Sequence, residues 1–354
     1  MRIGIPSETK TLEGRVALVP YACGDLVKAG HEVAIQSGAG DKSGFSDADF
    51  SKVGVKVVPD APAFFDFAEL VVKVKEPIAG DLAHLKAHHR LFCYLHLAAE
   101  PALTQSLKDI GLTAVAFETV EESGGQLPLL APMSIIAGRI AVQVGTHLLH
   151  QPQGGRGILL GGLGGAERGH IVVLGAGAAG GHAAALAAAG GARVTVFDKR
   201  TDRLEAMMAV ADNISALYPY SEAVAEAVAE ADLVIGAVLV TGARAPHVVT
   251  REMVSDMPQG SVMIDISVDQ GGCFETTKPT TYKDPTYVVD GVTHFAVTNM
   301  PGAVPRTSSQ ALSAAILPYV VKMARADWRD DPALVRGINV DGGAVVHPAL
   351  DAVA

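Results

Sequence analysis

The sequence predicts an α/β protein built from two doubly wound domains, and three observations carry that expectation. Short apolar runs alternate with helix-like segments along almost the whole chain, the pattern of parallel strands joined by helical crossovers. A glycine cluster, Gly175-x-Gly177-x-x-Gly180, follows one apolar run directly and opens an alanine-rich stretch. The chain is also long for one core, at 354 residues.

Along the chain, "RIGIP", "HEVAIQ", "LVVKVK", "RLFCYLH" and "LTAVAFE" read as the strands of the first domain. Segments such as "YACGDLVKAG" and "PALTQSLKDIG" lie between them, with helical spacing and a glycine near each end. "LAPMSIIAGRIAVQVGTHLLHQ" is a long apolar stretch of helical period, and "PQGGRGILLGGLGGAERG" reads as a loop or hairpin leading into a second sheet. That sheet takes "HIVVLGA", "ARVTVFD", "ADLVIGAVL", "SVMIDIS" and "THFAVTN". The last long helix, "SSQALSAAILPYVVKMARADW", is expected to pack back on the first domain. The division expected is residues 1–128 with 306–354 for one domain, and 129–305 inserted between them for the other.

Composition narrows the class. With 49% hydrophobic and 19% charged residues the chain can bury a substantial core. A net charge of -10 and the lack of any basic block argue against nucleic acid or an anionic membrane as partner. Cys23, Cys93 and Cys273 are widely spaced with no C-x-x-C, so neither a disulfide framework nor a metal site is expected. "MRIGIPSETK" lacks an apolar signal region, and a cytoplasmic setting is the expectation. The uncharged stretch between Arg168 and Arg193 is too rich in glycine for a membrane span, and its ordered apolar piece, "IVVLGA", is strand-sized.

That stretch reads instead as a dinucleotide pocket in a Rossmann-like domain. Glycine is needed there to tighten the strand-to-helix turn, to let backbone approach a pyrophosphate, and to seat the helix. The helix N-terminus offers unpaired N–H groups to the phosphates. Asp198, at the end of the next strand, stands where a ribose-binding carboxylate belongs.

In the first domain, period-two alternation puts Lys73 and Lys75 on one face at the C-terminal end of a strand, and His96 closes the next. Ligands gather beyond the carboxyl ends of parallel strands, so these residues mark one site. Arg15 carries a fork that can clamp a carboxylate bidentately. Singly, each is as readily a surface or structural residue.

Read with their neighbours, these residues resemble the alanine dehydrogenase family, which shares ancestry with the soluble NAD-binding part of nicotinamide nucleotide transhydrogenase. The matching stretches are "GIPSETKTLEGRVALVP", "VVKVKEP", "YLHLAA", "LLAPMSIIAGR", "VIGAVLVTGARAP", "DISVDQGGCFETTKPTT" and "VTNMPGAVPRTSS". The resemblance implies a reversible NAD-dependent oxidative deamination of L-alanine to pyruvate and ammonium. It implies that Arg15 and Lys75 hold the substrate, and that His96 and Asp269 serve proton transfer and amine handling. Ser134, Asp198, Asn299 and Met300 would line the NAD with the glycine turn (Gly175, Gly177, Ala178, Ala179, Gly180). Arg203, Val238, Leu239, Ile266, Asp269 and Val297 complete that lining. A homo-hexamer is also implied. Departures are Ile135, where the family usually has glutamate, and Lys199 and Arg200 beside the ribose acid. The alternatives are a transhydrogenase-like subunit, a cyclodeaminase-like lyase, and a non-catalytic NAD-binding protein.

Overall fold

The computed structural model describes residues 1–238 and 245–350. In chain order the first strands are β1 (Arg2–Ile5), β2 (Glu32–Gln36), β3 (Lys56–Val58), β4 (Leu70–Val72), β5 (Arg90–Cys93) and β6 (Thr113–Ala116). Next come β7 (His170–Leu174), β8 (Arg193–Phe197), β9 (Ile214–Leu217), β10 (Leu233–Gly236), β11 (Val262–Asp265), β12 (Thr286–Val289) and β13 (Val292–Phe295). The chain closes with β14 (Ile338–Asp341) and β15 (Ala344–Val345). They form two sheets, in two compact units: Met1–Met133 with Gly302–Ala354, and Ser134–Pro301.

In the first unit the strands run β15-β14-β6-β5-β4-β1-β2-β3, parallel from β6 to β3 and closed by antiparallel β14 and β15. The order reverses between β1 and β4, which are hydrogen-bonded neighbours. Such a switch point opens a crevice beyond the strand ends. Buried strands such as "LVV" and "RLFC" pair apolar side chains on both faces, and Val71, Leu91 and Ala114 join one core with Phe64, Phe65 and Leu107. The returning helix Pro305–Met323 belongs to this unit, and its small serines let extended chain lie across it. Ser309 Oγ accepts the Val16 N–H at 2.9 Å and Ser313 Oγ the Val19 N–H at 3.1 Å. Those bonds fix the segment that follows Arg15.

The second unit repeats the scheme as β12-β13-β11-β10-β7-β8-β9, with only β12 antiparallel. Its switch point lies between β7 and β10. The helix Ala178–Ala189 is apolar all round and buries Ala179, Ala183, Ala184, Ala187 and Ala188. A helix without a polar face belongs inside a core, which is why its sequence resembles a membrane segment. No helix among the described residues is long and apolar enough to cross a membrane. The long apolar stretch becomes the helix Ala131–Leu148, and the glycine-rich segment after it is loop with one antiparallel bridge, Leu163 to Ala166.

Candidate active site

Every candidate group of the first unit follows the carboxyl end of a parallel strand. Arg15 comes after β1, Lys75 after β4 and His96 after β5. Sequence spacing placed the two lysines within a strand, but β4 stops at Val72 and both lie in the turn beyond it. They do not share an environment. Lys73 is 2% exposed and pairs with Asp81 at 2.7 Å and Glu8 at 3.8 Å, and those carboxylates hold its ammonium above the usual lysine value against the pull of burial. Lys75 is half-buried and has no ion pair within 4 Å among the described residues. Lys73 is therefore spent on two carboxylates, while the Lys75 ammonium is not.

Arg15 is 2% exposed, and its guanidinium meets Glu13 twice, Nη2 to Oε2 at 2.5 Å and Nε to Oε1 at 2.7 Å. Nη1 also touches Met133 Sδ at 3.2 Å. Burial opposes its charge, but the hydrogen bonds and charge of Glu13 win and raise its affinity for the proton. The charge of Arg15 in turn opposes the rise that burial imposes on the Tyr94 hydroxyl.

His96 also lies beyond its strand, since β5 ends at Cys93. It adopts a left-handed backbone, φ 51°, and its ring stacks on that of Tyr94 at 5.9 Å with 4° between planes. Tyr94 is itself fixed, donating its hydroxyl to the Leu129 carbonyl at 2.6 Å. Two of the candidates are thus held by their own neighbours, His96 by the Tyr94 ring and the Lys75 amide by Glu8.

In the second unit the glycine turn is forced by sterics. Gly175 has φ +100°, and a Cβ there would meet the Ala237 carbonyl at 2.6 Å. A Cβ on Gly180 would fall 1.7 Å from the Gly175 carbonyl. At Gly177 the only atom near such a Cβ is Arg203 Nη1, at 3.7 Å. The turn is packed beneath and open above, as backbone approached by a pyrophosphate must be. Gly177 caps the helix Ala178–Ala189 without a side-chain hydrogen bond, leaving N–H groups at its start for an anion. Asp198 Oδ2 accepts the Ala176 N–H at 2.7 Å, Oδ1 accepts the Arg200 N–H at 2.8 Å, and Arg203 stands 3.5 Å away.

Of the other candidates, Val238 and Ser134 border the same turn. Val238 follows β10, and its carbonyl accepts from Ser267 Oγ at 2.8 Å beside Ile266. Gly138 packs so closely on the helix start that a Cβ would meet the Ala179 carbonyl at 2.1 Å, and Ser134 lies one turn earlier on the same face. Asp269 is exposed and its Oδ2 accepts the Asn299 N–H at 3.4 Å, next to buried Val297 and Met300. Leu239 lies outside the described residues.

Four carboxylates escape sequence reasoning: Glu8, Glu13, Glu118 and Asp265. Each accepts backbone N–H groups in a turn that carries a candidate residue. Asp265 takes the Ser267 and Cys273 N–H groups, both at 2.9 Å, and the Thr277 hydroxyl at 2.5 Å, shaping the loop that bears Asp269. Burial pushes its carboxyl above the ordinary value. Among the described residues no cluster of three metal-binding groups occurs.

Comparison with known proteins agrees along the whole chain. The alanine dehydrogenase/PNT N-terminal domain model matches residues 4–137, and the corresponding C-terminal domain model matches 141–348. An alanine dehydrogenase of Halomonas elongata is 50% identical, over 99% of this chain and 96% of that protein. A solved L-alanine dehydrogenase structure superposes with a TM-score of 0.96 at 48% identity, covering 100% of this chain and 99% of that one. A transhydrogenase structure from Sinorhizobium meliloti superposes at 0.85 with 26% identity, over 99% of this chain and 100% of that one. Two Rossmann-type sheets, the forced glycine turn and these matches lead to one assignment: the chain belongs to the alanine dehydrogenase/PNT family.

Proposed function

We propose that the protein is an L-alanine dehydrogenase, interconverting L-alanine and pyruvate plus ammonium with NAD. The observation that carries the reading is near-full-length identity to curated alanine dehydrogenases, with Arg15, Lys75 and His96 all beyond the strand ends of one sheet. The open glycine turn and Asp198 fit a dinucleotide, as described above.

NAD supplies the acceptor for the hydride of the alanine Cα–H. The chain's residues do the rest. Arg15 and Lys75 hold the substrate carboxylate and carbonyl, and that orientation provides much of the rate. Once the alanine ammonium has released a proton to solvent, loss of the hydride from Cα leaves an iminium, which water attacks. His96 takes the proton of that water and returns one as ammonia leaves, a role suited to an imidazole near neutral pH. Asp269 stabilises the positive charge on nitrogen. Ser134, Arg203, Val238, Ile266, Val297, Asn299 and Met300 would contact the cofactor with the glycine turn.

The test is the rise of NADH absorbance on adding L-alanine to purified protein. Absence of that rise, with hydride exchange between nucleotides or redox-neutral deamination instead, would favour a transhydrogenase-like or lyase reading. The resemblance also supports a cytoplasmic homo-hexamer. Light scattering coupled to size exclusion measures the assembly directly.

A further inference from the structure

We propose that Glu118 is a positioning residue that fixes His96 in its working orientation, an inference that rests on the proton-transfer role of His96. Glu118 lies in the turn after β6, and its side chain is 16% exposed. Oε1 accepts the His96 N–H at 2.6 Å and the Leu95 N–H at 3.1 Å, and Oε2 reaches the Leu95 N–H at 3.3 Å. Oε1 also stands 3.9 Å from His96 Nδ1.

The clamp answers a local need. His96 has φ 51° and ψ 36°, a conformation that costs free energy for a residue with a Cβ and persists only where neighbours enforce it. Its side chain is 44% exposed, so packing alone does not hold it. The enforcing contacts are the Glu118 carboxylate at the backbone and the anchored Tyr94 ring on one face. At 3.9 Å Oε1 is too far to hydrogen-bond Nδ1, but its negative charge biases the neutral ring toward carrying its proton there, which leaves Nε2 as the proton acceptor.

The device recurs at the other two candidates. Glu13 accepts the Arg15 N–H at 3.0 Å, and Glu8 accepts the Val74 N–H at 2.6 Å and the Lys75 N–H at 3.3 Å. Three segments that follow parallel strands are each held by a glutamate whose side chain is largely buried. Glu13 also pairs with the side chain of its candidate, and Glu118 faces the imidazole of His96.

The experiment compares Glu118→Ala, Glu118→Gln and His96→Ala in the full chain. Steady-state alanine oxidation, NADH affinity by fluorescence, and the 15N spectrum of the His96 ring are measured, the ring signal being assigned by its loss in His96→Ala. Glu118→Ala should lower kcat by about tenfold to a hundredfold, the scale of loss expected for a catalytic group misplaced by an ångström. KM for alanine and NADH affinity should stay within about threefold of wild type, because a positioning residue acts on the chemical step. Glu118→Gln keeps a neutral acceptor for the two amides and should recover part of kcat while its His96 nitrogens lose the Nδ1–H signature. Wild-type kcat in Glu118→Ala, or losses that track NADH affinity instead of kcat, overturns the proposal. If Glu118→Ala does not fold, an unchanged kcat and 15N signature in Glu118→Gln overturns it. Turnover retained by His96→Ala defeats the underlying reading. An inactive His96→Ala beside a fully active Glu118→Ala defeats the positioning role alone.

Discussion

Asp198 combines two duties, and its variants will separate them. Its oxygens hold the turn through the Ala176 and Arg200 amides, and under the proposed function its charge would also face the adenosine ribose. A cofactor 2′-phosphate there would meet like-charge repulsion of roughly 1–4 kcal/mol per charge pair. Of the basic residues that could offset it, Arg200 is paired with Asp202, at 2.5 and 3.1 Å, and Arg203 already stands 3.5 Å from Asp198. NAD should therefore be preferred by at least about tenfold in kcat/KM, which needs about 1.4 kcal/mol. Asp198→Ala should weaken NAD and improve NADP; equal use of NADP by the wild type would show that Lys199 and Arg200 prevail. A second pair of variants probes the other unit. Lys75→Ala and His96→Ala should each cut turnover by about 100- to 10,000-fold while NADH still binds, since neither side chain supports the glycine turn. Wild-type rates in either variant would remove that residue from the site. At this scale the sequence is legible only where chemistry follows a motif. Arg15, Lys75, His96 and Asp198 stand in distinctive strings. Glu8, Glu13, Glu118 and Asp265 do not, because a carboxylate that clamps amides is recognised by the amides it meets, not by its neighbours in sequence.

The element that carries most information is the glycine turn, where three positions tolerate no side chain for different reasons. Gly175 needs its positive φ, Gly180 lies against the Gly175 carbonyl, and Gly138 presses on Ala179 from a neighbouring helix. Gly180→Ala must push the helix off the strand, because its Cβ would sit 1.7 Å from a backbone oxygen that cannot swing aside. The expected outcome is a loss of about 1–3 kcal/mol, the usual cost of overpacking, with NADH affinity falling further than stability. Denaturant midpoints and NADH titration of the variant check it, and an unchanged affinity would show that the turn does not carry the phosphates. Elements buried on both faces were readable as apolar runs, which is why β1, β2, β4 to β8, β10, β11 and β13 match the expected strands. The strands that escaped, β3, β9, β12, β14 and β15, lie at or next to sheet edges, and four of them show no fully buried run. Half-exposed strands of two to four residues leave too little periodicity to separate them from loop.

Across the whole molecule, buried neutral histidines tie stability to pH in both units. His89 Nδ1 accepts the Lys86 N–H at 2.9 Å and its Nε2 meets the Phe65 carbonyl at 2.9 Å, so the ring is set as a neutral Nε2–H tautomer. His294 meets the Val292 carbonyl and the Thr276 hydroxyl, and His170 the Thr195 hydroxyl. Burial lowers the proton affinity of all three below the ordinary histidine value. The unfolded chain then binds more protons than the native one as pH falls past about 6.5, so this stability is present above that pH and lost below it. Glu8 and Asp265 act in the opposite direction, because burial raises their carboxyls and lets the native state take up protons. The three histidines outnumber these two carboxyls, so the histidines should dominate between about pH 7 and 5.5. The midpoint of thermal unfolding should fall across that window, by about 2–4 °C for each kcal/mol lost. His89→Gln, which cannot gain a proton, should flatten the fall. A midpoint that holds steady or rises on acidification would mean that the buried carboxylates outweigh the histidines, and an unchanged slope in His89→Gln would exonerate that ring.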